Sequence, residues 1–143
     1  MVTTRGVEPP SYLLDTDTCA FILRKSSPTL LDKIQAVPLD RQAMSVVTWA
    51  ELLYGVQVSS RRKANQAALD LFRRHLGVIE WSADAAHHYA DIRADLHRRG
   101  QMIGANDLMI AAHARSLGAT VVTHNTRDFG RVKGLKVEDW LAP

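Results

Sequence analysis

Four short apolar runs, "YLLD", "AMSVV", "VIEW" and "ATVVT", each next to a helical stretch, constrain this chain more than any other feature. Each is too short to be a buried helix and is rich in Val, Leu and Ile, so each reads as a strand buried on both faces. Between them lie "TCAFILR", "PTLLDKIQAV", "TWAELLYGV", "RRKANQAALDLFRRHL", "SADAAHHYADIRADLHRRG" and "NDLMIAAHARSLG", with a late strand near "LKVED". In the fifth of these segments Ala85, Tyr89, Ile92 and Leu96 share one helical face. Gly55, Gly100 and Gly118 read as helix stops. Apolar strands alternating with amphipathic helices dictate an α/β fold with a mainly parallel central sheet covered on both faces.

At 143 residues the chain fits one domain, expected over 11–143. Residues 1–10, with Gly6 and Pro9-Pro10, read as a disordered lead-in. No apolar run approaches the roughly 20 residues that span a bilayer, and no signal-peptide core is visible. The single cysteine, Cys19, cannot form an internal disulfide, so a cytoplasmic location is expected. The net charge of +3 suits a polyanionic partner without requiring one.

The acids are where chemistry enters. Asp15 closes the first strand, Glu51 falls in the first helical turn after the second, and Asp107 opens a helix. Asn125 and Asp128 follow the strand "ATVVT". In an open parallel sheet, ligands bind beyond the carboxyl ends of the strands, where these side chains can gather. Close carboxylates repel by roughly 4 kcal/mol per pair at an effective dielectric near 20, a cost a divalent cation removes. Oxygen-only donors suit Mg²⁺ or Mn²⁺, and the implied chemistry is metal-assisted displacement at phosphorus by an activated water.

Structural readings compete at each position. Thr48 and Glu51 match a capping box. Asn106 or Asp107 could be a helix cap or a first-turn acid. Asp17 could be an acid that supports the metal ligands from behind or a plain turn residue, and the turn is the preferred reading. Asp15 resists such a reading, because Asp is depleted in strands and its burial without a partner is costly. His87, His88, His113 and His124 lack zinc-site spacing, with His113 read as a core-edge histidine. Cys19 reads as a packed thiol and Trp49, Trp81 and Trp140 as packing residues. The basic clusters at Arg61–Lys63, Arg73-Arg74 and Arg98-Arg99 are candidates for RNA-backbone contacts or plain solvated faces.

"LLDTDTCAFIL", "SVVTWAELLYG", "IGANDLMIAAHARSLGATVVTHNTRDF" and "GLKVEDW" together resemble PIN-domain nucleases of the VapC toxin type, over about Tyr12 to Trp140. The resemblance implies a three-layer α/β/α domain whose acidic pocket holds Mg²⁺ or Mn²⁺ and which cuts RNA endonucleolytically. Asp15, Glu51 and Asp107 correspond to the family's first three acids, with Asp15 and Asp107 the main metal ligands and Glu51 a ligand or water-orienting group. Where many relatives carry a fourth acid this chain has Asn125, with Asp128 three residues on, and either could fill the position. Thr123 could contact a phosphate or a metal-bound water, or serve as an ordinary strand residue.

The "HNTRDF" form further resembles relatives that cut initiator tRNA in its anticodon loop, so tRNA is the expected substrate. Implied partners are a second copy of the chain and a VapB-like antitoxin, whose docking groove could involve "CAFIL" and "WAELLYG". Two rival readings differ in class. One is a catalytically decayed RNA-binding or interaction protein on the same fold. The other is a haloacid-dehalogenase-like phosphatase, suggested by "LLDTDT" but opposed by Cys19 and by the missing late pair of acids.

Overall fold

The computed structural model describes residues 8–142. The expected lead-in falls largely on residues 1–7, outside the described residues. Its last residue, Pro10, is buried, and Ser11 bonds the backbones of Arg41 and Thr120.

Among the described residues five strands form one all-parallel sheet in the order β3-β2-β1-β4-β5. They are β1 (Tyr12–Leu14), β2 (Gln42–Ser45), β3 (Gly77–Ile79), β4 (Thr120–Val122) and β5 (Lys136–Glu138). The connecting helices are α1 (Thr16–Arg24), α2 (Pro28–Ala36), α3 (Val46–Gln57), α4 (Arg62–His75), α5 (Ala83–Arg99), α6 (Ala105–Leu117) and the short α7 (Thr126–Phe129). The chain proceeds outward from β1 to β3 on one side, then returns to add β4 and β5 on the other. The order therefore reverses between β1 and β4, which opens a crevice at their carboxyl ends.

Alternation along the three central strands divides the core. Leu13, Ala43 and Val121 face one layer with Ile92, Leu96, Leu108 and Ala111 of α5 and α6. Leu14, Met44 and Val122 face the other with Cys19, Leu30, Leu52, Val56 and Leu69 of α1 to α4. All six strand residues are buried, as the continuous apolar runs require.

Most helix ends follow their local chemistry. Ser27 and Ser82 cap α2 and α5 by accepting from Leu30 N and Ala85 N. Gly100 and Gly118 end α5 and α6 with φ of 63° and 67°, a region that side chains disfavour. Three expectations fail. Val46 and Val47 extend no strand: Ser45 caps α3 by accepting from Val47 N, so the helix begins there. Gly55 is no stop, because α3 runs through it to Gln57. The helix α7 and a 3₁₀ turn at Leu39–Arg41 were not foreseen, each being too short to show a period.

Candidate active site

Asp15 stands at the carboxyl end of β1, beside the reversal of strand order. Its backbone N–H continues the ladder to Val122 O at 3.0 Å, while its side chain caps α1 by accepting from Thr18 N at 2.9 Å. The other carboxylate oxygen accepts from the Thr123 hydroxyl at 2.6 Å, and that hydroxyl in turn accepts from Asn125 N at 2.9 Å. Asp15 is only 3% exposed, and burial raises its pKa despite these donors. Thr123 is thus neither a free phosphate ligand nor an ordinary strand residue. It is fully buried and locks Asp15 to the turn after β4.

Glu51 lies in the second turn of α3, not the first, because the helix starts at Val46. The expected capping box does not form. Ser45 takes the cap, and the Thr48 hydroxyl instead meets the Thr16 hydroxyl at 3.2 Å. Glu51 is bound across the crevice, accepting from the Thr16 hydroxyl through one oxygen and from Asn106 Nδ2 at 3.0 Å through the other. Asn106 therefore links α6 to Glu51, and neither it nor Asp107 caps that helix, whose cap position is Gly104.

Asp107, in the first turn of α6, is half-buried. Burial comes first in raising its pKa to about 6, followed by the charges of Asp15, Glu51, Asp17 and Asp128. Four carboxylates from α1, α3, α7 and the end of β1 thus converge on the fifth. Asp17, read from the sequence as a turn residue, is an exposed first-turn acid of α1 that belongs to this field. Asp128 accepts from Asn125 Nδ2 at 3.1 Å and faces Arg131 at 3.7 Å. Asp15, Glu51 and Asp107 pair with no lysine or arginine among the described residues.

The donor set is all oxygen and uncompensated by cationic side chains, which fits a hard divalent ion. Among the described residues no three His, Cys, Asp or Glu side chains are already arranged around one ion position. Closing on a metal would therefore need side-chain rotation of the kind a half-buried, unbonded Asp107 permits.

Thr16 carries no sequence signal beyond adjacency to Asp15, and Asn106 only that of a candidate cap, because their partner Glu51 lies 35 and 55 residues away in the chain. Of the other histidine and basic candidates, His113, Arg99 and Arg73 take structural places. His113 is buried, bonded through Nδ1 to Ser45 Oγ at 2.8 Å, and burial lowers its pKa to about 4. Arg99 is consumed by Asp95, Gln101 and the Arg131 carbonyl, and Arg73 lies 5.8 Å over the Trp49 ring. Cys19 is fully buried, and Trp140 packs edge-on against Tyr12.

Two adjoining hollows of about 410 and 380 Å³ run away from the acids and share Leu23 and Ala68 as walls. The nearer, bounded by α1, α3 and α4, opens at Thr16 and Glu51. The farther, bounded by α1, α2 and α4, is floored by Leu14, Ile22, Ile34 and Phe72.

An all-parallel sheet with carboxylates gathered where its strand order reverses is the architecture expected of a PIN domain. The model of that family matches residues 12–135, and the chain belongs to the PIN-domain family. Within it the similarity is to VapC ribonucleases. The chain is 39% identical to the tRNA(fMet)-specific endonuclease VapC of Shigella flexneri over 129 residues, covering 90% of this chain and 97% of that protein. It is 36% identical to Ribonuclease VapC2 of Rickettsia felis over 130 residues, again covering 90% and 97%. The crystal structure of DNA bound VapBC from Salmonella typhimurium superimposes with a TM-score of 0.87 at 37% identity, covering 92% of this chain and 98% of that one. PIN-domain membership removes the phosphatase reading.

Proposed function

We propose that this chain, as a single catalytic domain over 11–143, is a metal-dependent endoribonuclease toxin acting on tRNA in the cytoplasm and held inactive by a VapB-like antitoxin. The observation that carries the reading is the convergence of Asp15, Glu51 and Asp107 at the strand-order reversal without a cationic side chain to pair them. Similarity to VapC ribonucleases, one of them specific for tRNA(fMet), supports RNA as substrate and the anticodon loop of initiator tRNA as the narrower target.

Asp15 and Asp107 would ligate Mg²⁺ or Mn²⁺, with Glu51 completing the set. Bound there, the ion would polarise the scissile phosphate and lower the pKa of water. The chain's own part is positional. Thr123 and Thr18 fix the Asp15 carboxylate, and Thr16 and Asn106 aim Glu51 across the crevice. Asp128 would supply the fourth charge, with Asn125 orienting it through its amide, a reading supported by the hydrogen bond between them.

The apolar hollows beside Glu51 would take a segment of the antitoxin. Ile22 and Leu23 of "CAFIL" and Leu52 and Gly55 of "WAELLYG" line them, together with α2 and α4 residues that the sequence did not suggest. A second copy of the chain would cover the exposed face of α3, where Tyr54 is 68% and Val58 65% exposed.

The test is cleavage of total RNA and purified tRNA by antitoxin-free protein with Mg²⁺ or Mn²⁺, alongside chelator, Asp107→Asn and Glu51→Gln. Discrete cuts that disappear in all three controls are expected. Cuts that persist in both folded variants would remove the acids from catalysis. No cut by the wild type would leave a binding role.

A further inference from the structure

A third hollow, of about 480 Å³, is lined by Asp17, Ala20, Phe21, Arg24, His124 and Asn125, and shares Ala20 and Arg24 with the nearer apolar hollow across α1. Three of these carry recognition chemistry that the acidic cluster does not use. The Arg24 guanidinium lies 4.9 Å over the Phe21 ring and forms no ion pair or hydrogen bond among the described residues. His124 Nδ1 is 3.0 Å from Asp139 Oδ2, and the other oxygen of Asp139 accepts from Leu141 N at 2.9 Å, so the imidazole is held at one nitrogen by an anchored carboxylate. The ring itself remains 62% exposed. His124 also sits between Thr123, which locks Asp15, and Asn125, which bonds Asp128, so the hollow and the acids share one stretch of backbone.

We propose that this hollow binds the RNA nucleotide next to the scissile phosphate, and the proposal rests on the ribonuclease reading above. Arg24 holds the neighbouring phosphate, for which an unpaired, planar, five-donor guanidinium is suited. The base lies against the Phe21–Arg24 stack and the His124 ring, since splayed single-stranded bases pack on aromatic and guanidinium planes. Asp17 lines the same hollow and repels phosphate, which places the phosphate at the Arg24 end and leaves the Asp17 end to the metal-binding acids. Asp139 is a positioning residue in this arrangement, setting the plane of His124 without touching RNA.

The test separates binding from cutting. Binding of a fluorescent tRNA and of a fluorescent single-stranded RNA is measured in chelator, for wild type, Arg24→Gln, Arg24→Lys and His124→Ala, with folding checked by thermal unfolding. Cleavage kinetics follow in Mg²⁺ or Mn²⁺. Arg24→Gln is expected to weaken RNA binding roughly tenfold and to flatten its salt dependence by about one unit of slope, with the loss in cleavage falling on KM. Arg24→Lys should recover the slope but only part of the affinity. His124→Ala should weaken binding roughly fivefold or more without changing the slope. Unchanged affinity and KM in folded variants of a protein that still cuts RNA overturns the subsite and leaves the nuclease standing. Wild type that neither binds nor cuts RNA removes both.

Discussion

Replacing Asp107 with Asn is expected to stabilise the metal-free protein. Burial and the charges of four other carboxylates raise this group from 3.8 to about 6. A raised acid holds its proton more tightly in the folded than in the unfolded chain. Its contribution to stability is therefore complete below about pH 4 and is lost as pH climbs through about 6. A shift of about two units corresponds to roughly 3 kcal/mol. The side chain is only half-buried, so solvent screening cuts this to about half. The favourable interaction of the charge with the start of α6, forfeited in the variant, removes roughly 0.5 kcal/mol more. About 1 kcal/mol remains at pH 7.5, or roughly 3 °C in Tm for a chain of this length. The assay is thermal unfolding of both proteins in chelator at pH 4 and pH 7.5. Asp15, also raised by burial, is present in both proteins, so only its coupling to Asp107 enters the difference. The gain should appear at pH 7.5 and vanish at pH 4, and Mg²⁺ or Mn²⁺ should raise the Tm of wild type more than that of the variant. A variant less stable at pH 7.5, or equally shifted at both pH values, would refute the convergence of charge at Asp107.

Three further outcomes are expected. Thr123→Val removes the buried donor to Asp15 and the acceptor for Asn125 N, which costs about 2–3 kcal/mol in urea unfolding. A loss under about 0.5 kcal/mol would mean the hydroxyl does not hold Asp15. Gly55→Ala, at a mid-helix position where an added Cβ meets nothing within 4 Å, should stabilise by roughly 0.5–1 kcal/mol. Destabilisation would restore Gly55 as a helix end. Cys19, fully buried and with its thiol pKa raised by burial, should resist thiol reagents in the native protein and react only on unfolding. Rapid native labelling would contradict its place between α1 and the sheet.

The layered fold was readable because the three central strands are apolar on both faces and Gly100 and Gly118 stop their helices. Failures cluster where two local signals compete. Val46 and Val47 are β-branched and follow a strand, but Ser45 offers a cap one residue earlier, and helix wins. The same cap displaces the Thr48–Glu51 box and moves Glu51 a full turn along α3. The placement of Asp15 and Asp107 was legible from strand and helix boundaries. What aims and holds the acids was not, since Thr16, Asn106 and Thr123 act through partners 35 to 108 residues away. For Asp17 the turn reading was preferred over a supporting acid because an exposed first-turn acid looks the same in sequence whether or not other carboxylates face it.

The two apolar hollows that meet at Leu23 and Ala68 end beside Glu51, and this has a consequence for inhibition. A peptide anchored in them carries its remaining residues within a few ångströms of the acids. A short tether of this kind sets a local concentration on the order of millimolar. Contacts at the acids too weak to form between separate molecules would then be saturated. An inhibitor of this chain can therefore owe its affinity to the anchor and its blocking action to a feeble tip, and cutting the tether between them would free the acids while the anchor stays in place.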